Sequence, residues 1–483
     1  MAFLIGGANS LADTGYNIEN SLRFDGDSYQ SRDPSETGIT IKGNFSAWVK
    51  FATSNTEVAL FGGFDSSGAN DNDGYMVFKR TADGNLQFEG GDNVYLETTA
   101  LFRDTSAWYH IVLAIDSSNA TANNKQRIYV NGAEITAFDT RNNLTNLQDL
   151  PMNSTAGNDD RFLVGCDEDT GGRGLFFTGY MADVYWIDNN SQMAASDFGE
   201  YNDNGVWIPK DGSDISFGDK NSFKMEYGSS GNLGLDSSGL GNSLGDNAGL
   251  AATNQTTDTP TNNFCTMNPL DVGSDLRDNG SFAEGNLEVT NGATSGQADQ
   301  QRVRGTIAVT KGKWYFEMKQ IANSASIGVL ATEAAHGGTS ANSMLVEYND
   351  GGEIRFFNGS GRTTKTTGID TFDDDDIVGC ALDMDNRRAY FHKNGTYQGD
   401  PTPDPAGSPS GAGQFGGIQT GFTMAPCMFD NSSGSAGKGS FNFGNAPFAI
   451  SSGNADGNGY GNFEFAVPSG YFSLCTKNLA EYG

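Results

Sequence analysis

The chain has 483 residues, with 29 basic and 60 acidic side chains and a formal net charge of −31. A chain of this length can form two or three domains, each with its own hydrophobic core. Because nucleic acids and anionic membrane surfaces are themselves negative, the acidic balance disfavours non-specific binding to either. We therefore expect no nucleic-acid partner and no membrane insertion.

Glycine and aromatic residues are both abundant, with 65 glycines and an aromatic content of 11%. Short aromatic-rich runs separated by Gly, Asn, Asp and Ser are typical of an all-β protein with many turns. No long stretch has apolar residues three and four positions apart, which would indicate an amphipathic helix. The five cysteines are widely spaced, so neither a disulfide framework nor a zinc site is predicted.

Residues 1–18 open the chain with "MAFLIGGANS", which has four consecutive apolar residues and no basic start. This pattern predicts neither a signal peptide nor a membrane anchor. Because the segment is Gly-rich and too short to fold alone, we predict that it attaches the protein to a neighbouring molecule, with one face of a sandwich as the alternative attachment surface.

Residues 19–224 contain nine candidate strands separated by Gly, Asn or Asp, which predicts an antiparallel β-sandwich. The run His110–Ile135 has an apolar strand that ends in Asp, a polar turn, and a second strand that reaches Asn-Gly. The run Ile377–Gly395 repeats this order. In the first copy, Gly132 is predicted to take the positive φ of a hairpin turn.

Residues 225–264 are rich in Gly, Ser, Asn and Thr and have too few large apolar groups to fold as a domain. We predict a polar connector at the surface, docked on a neighbouring domain rather than freely flexible. The side chains that could dock it are regularly placed leucines, namely Leu233, Leu235, Leu240, Leu244 and Leu250.

Residues 265–483 again contain many candidate strands, which predicts a second sandwich followed by a C-terminal extension. The run "KWYFEMKQ" alternates regularly and is interpreted as a strand buried on one face. Its apolar face carries Trp314, Phe316 and Met318, and its opposite face carries Tyr315, Glu317 and Lys319.

The motifs "NFSAWVKF", "WYHIVLAID…QRIYVNG" and "FFTGYMADVYWID" resemble those of laminin-G-like, concanavalin A-like jelly rolls. The motifs "GKWYFEM", "DIVGCALDMDNRRAYFHKNG" and "FNFGNAPF", between residues 281 and 448, resemble a SPRY (B30.2-like) domain. Both resemblances imply antiparallel jelly-roll sandwiches, so the repeated pattern is expected from the fold. The predicted fold class is therefore all-β, with two sandwiches joined by the Gly/Ser/Asn-rich connector.

The join "DTPTNNFCTMNPLD" and the ending "SGYFSLCTKNL" are similar to segments of virion proteins of tailed phages, often from marine hosts. This resemblance implies a tail fibre or other surface appendage, made in the bacterial cytoplasm and located on the virion. It also implies virion proteins as partners, a homo-oligomer that is usually a trimer, and a host surface glycan or receptor as target. A capsid decoration protein without a receptor role remains an alternative.

Catalytic carboxylates are the signature of a third alternative, a polysaccharide depolymerase, because retaining glycosidases place two about 5 Å apart. The chain has no Glu-x-Asp-x-Glu motif, and the acidic cluster Asp167, Glu168 and Asp169 is interpreted as a loop. His110 and His392 lie in strand patterns that favour structural roles, as do the apolar runs around Cys166 and Cys380. We predict no catalytic residues and no enzymatic activity.

One loop, "DSSGANDNDGY", is dense in oxygen ligands of the kind that Ca²⁺ prefers. The candidate calcium ligands are Asp65, Asn70, Asp71 and Asp73. The loop is not an EF-hand, since Ala69 occupies the first ligand position and Arg80 the last. Laminin-G-like domains often hold calcium at the sandwich rim, so Ca²⁺ is the one cofactor considered, against an ordinary solvated turn.

Overall fold

The computed structural model describes residues 4–5, 15–65, 74–91, 93–155, 161–169, 171–218, 220–292, 302–334, 336, 344–357, 362–399, 404–407, 415–416, 418–429 and 436–483. The chain forms two compact units, an N-terminal unit of Asp13–Thr261 and a C-terminal unit of Asn262–Gly483 together with Met1–Ala12.

Strands make up most of the regular structure in both units. Those in the first part of the chain are β1 (Leu4–Ile5), β2 (Ser21–Asp25), β3 (Tyr29–Arg32), β4 (Lys42–Phe51), β5 (Val58–Phe64), β6 (Tyr75–Arg80), β7 (Asn85–Gly90), β8 (Asn93–Leu101), β9 (Tyr109–Asp116), β10 (Gln126–Val130), β11 (Ala133–Glu134), β12 (Phe138–Arg141), β13 (Arg161–Val164), β14 (Asp167–Asp169), β15 (Gly172–Gly174), β16 (Thr178–Ile187), β17 (Gly199–Tyr201), β18 (Trp207–Pro209), β19 (Phe223–Met225), β20 (Gly245–Asn247) and β21 (Gln255–Thr256).

The later strands are β22 (Met267–Val272), β23 (Ser281–Ala283), β24 (Glu288–Thr290), β25 (Arg302–Gly305), β26 (Ile307–Ala308), β27 (Lys313–Ala322), β28 (Ser326–Ala331), β29 (Leu345–Asn349), β30 (Glu353–Phe357), β31 (Arg362–Thr367), β32 (Ile377–Asp383), β33 (Arg388–Lys393), β34 (Thr396–Tyr397), β35 (Phe415–Gly416), β36 (Met424–Phe429), β37 (Lys438–Asn442) and β38 (Phe472–Ser473). Two short α-helices are described, α1 (Ser274–Asn279) and α2 (Thr476–Tyr482). Neither has the length and apolar character that crossing a membrane requires, and the described residues contain no other candidate span.

The N-terminal unit is a sandwich of two antiparallel sheets. Sheet I has the order β11-β10-β9-β4-β16-β2-β21, with β19 also pairing with β16, and sheet II has the order β12-β8-β7-β6-β5-β13-β3-β20. The core between them contains Phe45, Phe61, Phe78, Trp186 and their apolar neighbours. The all-β prediction is confirmed for this unit, because alternate residues of sheets I and II meet in one core.

The C-terminal unit has the same architecture. Sheet III has the order β22-β25-β36-β28-β29-β30-β31. Sheet IV has the order β23-β24-β37-β27-β32-β33-β34, with β35 on β33 and β38 parallel to β27. Trp314, Phe316 and Met318 enter the core between these sheets, as the alternation of "KWYFEMKQ" predicts. Strand β1 pairs in parallel with β26 of this unit.

Both Asn-Gly pairs form tight hairpin turns. Asn131 and Gly132 have φ values of 48° and 84°, and Asn394 and Gly395 have 45° and 84°. Positive φ at both central residues is the backbone conformation of a type I′ turn, which matches the twist of the strands it joins. The positive φ predicted at Gly132 is therefore confirmed, and the second copy of the pattern forms the same turn.

The predicted connector lies largely within the N-terminal unit, which extends to Thr261. Strands β20 and β21 pair with β3 and β2 at the edges of the two sheets. Leu233 and Leu244 are buried in the core and Leu250 packs against it, whereas Leu235 and Leu240 are exposed. Three of the five leucines therefore dock this polar segment.

Candidate functional site

A second layer of chain covers the outer face of sheet I. Tyr185 and Ile187 of β16 point away from the main core and pack with Phe198, while Met193 and Ile215 lie against the same cluster. Phe198, Met193 and Ile215 belong to the segment that follows β16. This segment, residues 188–217, covers the outer face of sheet I. The apolar side chains on that face are therefore shielded from water.

Asn44 on β4 holds the start of the covering segment in place. Its Nδ2 donates to the carbonyl oxygen of Ser191 at 2.9 Å, and its Oδ1 accepts the N–H of Met193 at 2.8 Å. The Asn44 side chain is fully buried, so both bonds are shielded from water. Gln192 adds a third tie, since its Nε2 donates to the carbonyl oxygens of Ala114 and Asn124.

The covering segment encloses a small polar pocket with a volume of about 240 Å³. The residues that line this polar pocket are Asn189, Ser191, Gln192, Met193, Asp197, Lys210, Asp214, Ile215 and Ser216. Most of these side chains carry hydroxyl, amide or charged groups, and Met193 and Ile215 supply apolar surface. A few placed polar groups beside an apolar patch are what a small hydroxylated ligand needs for binding.

Several polar-pocket groups are held in place and others are available to a ligand. Asn189 donates from Nδ2 to the carbonyl oxygen of Ser216 at 2.7 Å, and Asp197 accepts the N–H of Ala194 at 2.8 Å. Within the described part of the chain, the Lys210 ammonium and the Asp214 carboxylate form no ion pair and no side-chain hydrogen bond. The described lining thus presents one ammonium group and two carboxylates to a bound molecule, and the carboxylate of Asp197 already accepts one hydrogen bond.

The hairpin β17–β18 leads from this pocket to an aromatic cluster on the same covering layer. Trp207 Nε1 donates to His110 Nδ1 at 3.1 Å, so the proton of the neutral imidazole resides on Nε2, which donates to Ser46 Oγ at 2.9 Å. Burial lowers the pKa of His110 to about 3, and the ring stays neutral. His110 therefore has the structural role that its strand pattern favours.

Tyr201 is an exposed aromatic residue on this hairpin, with 56% of its surface accessible. Its ring packs edge-on against Trp207 at a centroid distance of 4.9 Å, and its hydroxyl donates to the carbonyl oxygen of Asn131 at 3.0 Å. Both contacts fix a ring that remains open to solvent. In the hairpin register Tyr201 faces Trp207, and Gly199 faces Pro209, which precedes Lys210.

Neither the polar pocket nor Tyr201 is predicted by a motif in the sequence. The pocket residues are ordinary polar residues separated by up to 27 positions in the chain, and no short motif marks them. The one available signal was the dense Asn/Asp turn "YNDNGVW" beside two aromatic residues, which indicates a displayed loop.

The candidate calcium ligands can be placed only in part. Asp65 follows β5, its side chain is buried, and its N–H donates to the carbonyl oxygen of Gly74 at 2.6 Å. Asn70, Asp71 and Asp73 lie outside the described residues. Among the residues that are described, no group of three or more His, Cys, Asp or Glu side chains is arranged to hold a metal ion. Calcium binding stays a prediction.

The acidic cluster at residues 167–169 is a strand, so its interpretation as a loop was wrong. β14 pairs with β15 in a hairpin, and Glu168 contacts Arg161 and Arg173 through its two carboxylate oxygens. These ion pairs stabilise the extended backbone of the hairpin. Burial, with a contribution from the charge of Asp169, raises the pKa of Asp167 to about 6.

The fold of both units defines an antiparallel β-sandwich protein, and a sequence comparison agrees for the N-terminal unit. Residues 26–190 match a family described as the concanavalin A-like lectin/glucanases superfamily. The match supports the concanavalin A-like part of the predicted fold. No curated protein matches the chain in sequence.

Solved structures that this chain matches include the SPRY domain of human HERC1, at 21% identity and a TM-score of 0.22, with the match covering 32% of this chain and 87% of that chain. A protein from Bacteroides ovatus, described as carbohydrate binding, has 17% identity and a TM-score of 0.29, covering 43% of this chain and 56% of the other. The SAP-like pentraxin of Limulus polyphemus has 12% identity and a TM-score of 0.26. The match covers 36% of this chain and 79% of the pentraxin chain.

Proposed function

We propose that this protein binds glycans through the polar pocket and Tyr201 of its N-terminal unit. The observation that carries the proposal is a pocket of polar side chains on a unit that matches the concanavalin A-like lectin/glucanases superfamily. Sugars present hydroxyl groups to hydrogen-bonding side chains and C–H faces to apolar or aromatic surfaces. Lys210 and Asp214 supply the first kind of contact, and Met193 and Tyr201 supply the second.

The distance between the polar pocket and Tyr201 favours a ligand longer than one sugar. Tyr201 and Lys210 lie at opposite ends of the short hairpin β17–β18. A strand rises about 3.3 Å per residue, so roughly 10 Å separates the hairpin turn from the pocket end. An oligosaccharide of two or three units spans this distance. A short chain of sugars is therefore the favoured ligand.

The proposed setting in which such a protein would meet a glycan is the surface of a virus particle. We propose that the chain is a non-enzymatic structural protein of a tailed-phage virion, located on a fibre or other surface appendage, where it contacts the host glycan. The phage-like segments in the sequence support this setting, and a homotrimer attached to other virion proteins is the proposed assembly. The net charge of −31 supports display in solvent without adhesion to nucleic acid.

The test measures binding of the purified protein to a panel of bacterial surface polysaccharides by biolayer interferometry. We expect a saturable signal that Lys210→Ala and Asp214→Asn each reduce about tenfold and Tyr201→Ala reduces severalfold. Lys220→Ala is the matched control, because Lys220 is a partly exposed lysine outside the pocket. Equal losses in Lys210→Ala and Lys220→Ala would contradict the assignment of the site.

A second experiment separates the proposed roles. Purified protein should adsorb to host cells, and added host lipopolysaccharide should block the adsorption. Absence of adsorption, together with immunogold labelling of the phage head, would favour a capsid decoration protein instead. New reducing ends after incubation with the polysaccharide would favour a depolymerase. That activity would then be traced with Asp167→Asn, since Asp167 has a raised pKa beside a second carboxylate.

A further inference from the structure

A second cavity, of about 600 Å³, lies in the C-terminal unit beside the turn Asn394–Gly395. Aromatic and apolar side chains form most of its wall, among them Tyr397, Phe465, Val467 and Pro468. Residues 465–468 follow the part of the chain that resembles a SPRY domain. The cavity is therefore built by the C-terminal extension packed on sheet IV.

A buried carboxylate fixes the backbone of this wall. Glu317 of β27 accepts the N–H of Phe465 on Oε1 at 2.8 Å and the N–H of Glu464 on Oε2 at 3.0 Å. Tyr315 donates its hydroxyl to the same carboxylate at 2.9 Å, and Asn442 donates its Nδ2 at 3.0 Å. The interpretation of β27 as buried on one face was wrong, because the extension covers Tyr315 and Glu317 completely.

His392 contributes a neutral ring to the cavity. Its Nδ1 accepts the N–H of Gly395 at 3.2 Å, so the proton lies on Nε2, which is 2.7 Å from the Tyr315 hydroxyl. Both ring nitrogens are therefore engaged. Burial lowers the pKa of His392 to about 3, so the ring carries no positive charge at neutral pH. It meets the rings of Tyr397 and Phe465 edge-on, each at 5.3 Å.

Two polar groups of the cavity remain for a ligand. The hydroxyl of Tyr397 is buried and has no hydrogen-bond partner among the residues that the structure describes. Asp404 is exposed on the same cavity wall, and among the described residues only its Oδ1 accepts a hydrogen bond, from the N–H of Ala406 at 3.0 Å. No lysine or arginine lines the described wall. The described wall of the cavity thus combines aromatic faces with an acidic group and contains no cation.

We infer that this cavity binds an arginine side chain presented by a basic segment of another protein. A guanidinium group is planar, stacks on aromatic faces, and donates to carboxylate and hydroxyl oxygens at once. Tyr397 and Phe465 provide the faces and Asp404 provides the carboxylate. The Tyr397 hydroxyl, which has no hydrogen-bond partner among the described residues, gains one from the ligand. The net charge of −31 attracts a basic segment to the surface. This site is independent of the proposed glycan site.

The test uses the full chain and a capped tripeptide, acetyl-Leu-Arg-Leu-amide, with binding followed by isothermal titration calorimetry. The matched probe replaces arginine with citrulline, which has the same shape and no charge. We expect at least tenfold weaker binding of the citrulline peptide and a severalfold loss with a lysine peptide. Asp404→Asn should weaken the arginine peptide about tenfold, and Tyr397→Phe about threefold, with unchanged melting temperatures.

Asp373→Asn is the control variant, because Asp373 is also exposed in the C-terminal unit and does not line the cavity. It should bind the arginine peptide like the unmodified protein. Equal losses in Asp373→Asn and Asp404→Asn would show general attraction to the acidic surface and would overturn the inference. So would the absence of measurable binding at millimolar peptide. Neither outcome bears on glycan binding, which is measured with different variants.

Discussion

Lys50 and Asp258 form a buried ion pair, with Nζ and Oδ2 separated by 2.8 Å and side-chain exposures of 1% and 0%. Lys50 lies on β4 in sheet I, and Asp258 lies near the end of the N-terminal unit. Trp108 donates from Nε1 to the other carboxylate oxygen at 3.1 Å, and Ser21 donates to the carbonyl oxygen of Asp258 at 2.6 Å. Asp258 thus binds the last residues of the N-terminal unit to β4, to Trp108 and to β2.

Replacing Asp258 with alanine should strongly destabilise the N-terminal unit. The change leaves the Lys50 ammonium buried without its carboxylate, and loss of one partner of a buried pair costs about 3–5 kcal/mol. In differential scanning calorimetry of the full chain, the unfolding transition of the N-terminal unit should move to a markedly lower temperature. Glu36→Ala is the control, because Glu36 pairs with Lys220 at the exposed surface, where water and salt screen the pair, and its loss should barely change the melting temperature. Equal effects would contradict this account.

Replacing Gly132 with alanine should disrupt the packing of Trp207. Gly132 has a φ of 84°, and a Cβ at this position would collide with the indole ring. The strained backbone costs about 1–2 kcal/mol and the collision adds to it. Gly205→Ala is the matched control, since its φ is 74° and no atom lies within 4 Å of the added Cβ. Chemical denaturation followed by tryptophan fluorescence should show the larger loss for Gly132→Ala. Similar losses would mean that backbone strain alone is responsible.

Asp183 should make the protein less stable as the pH rises through 6. It has a φ of 43° within β16, its carboxylate is buried, and burial raises its pKa to about 6 although Lys224 opposes the shift. Because the unfolded carboxylate titrates near 3.8, the folded state holds the extra proton between about pH 4 and 6, and this stabilisation is lost as pH increases.

The variant Asp183→Asn removes the charge and keeps a residue type that tolerates positive φ. We expect a higher melting temperature at pH 7, with a gain of at most about 3 kcal/mol, and a flatter stability profile between pH 4 and 6. The control is Asp203→Asn, in an exposed turn, which should leave the profile unchanged. An unaltered slope in Asp183→Asn would show that another group titrates.

Calcium should raise the melting temperature of metal-stripped protein if the loop that begins at Asp65 binds it. Ligand at one hundred times its dissociation constant stabilises the folded state by about 2.7 kcal/mol. Thermal unfolding with and without calcium, with magnesium as the comparison ion, measures the effect. Asp71→Asn and Asp73→Asn should abolish it. The absence of a shift at saturating calcium would remove the calcium prediction.

Local sequence patterns predicted the strands and turns of this protein well. Alternation placed Trp314 and its neighbours in a core, and the two Asn-Gly pairs form the expected turns. These features depend on residues that are adjacent in the chain. The pattern could not show that Tyr315 and Glu317 are buried as well, because the residues that cover them lie about 150 positions later.

The candidate sites depended on tertiary structure for the same reason. Asn189 and Lys210 carry no motif, and they line one pocket only because Asn44 of a distant strand fixes the chain between them. Likewise Tyr397, Asp404 and Phe465 meet around one cavity only in the folded unit. The sequence by itself determined an acidic, all-β chain with tight glycine turns, because strand period and turn preference act over a few residues. Only the tertiary structure decided which polar groups converge, since convergence depends on long-range packing between segments far apart in the chain.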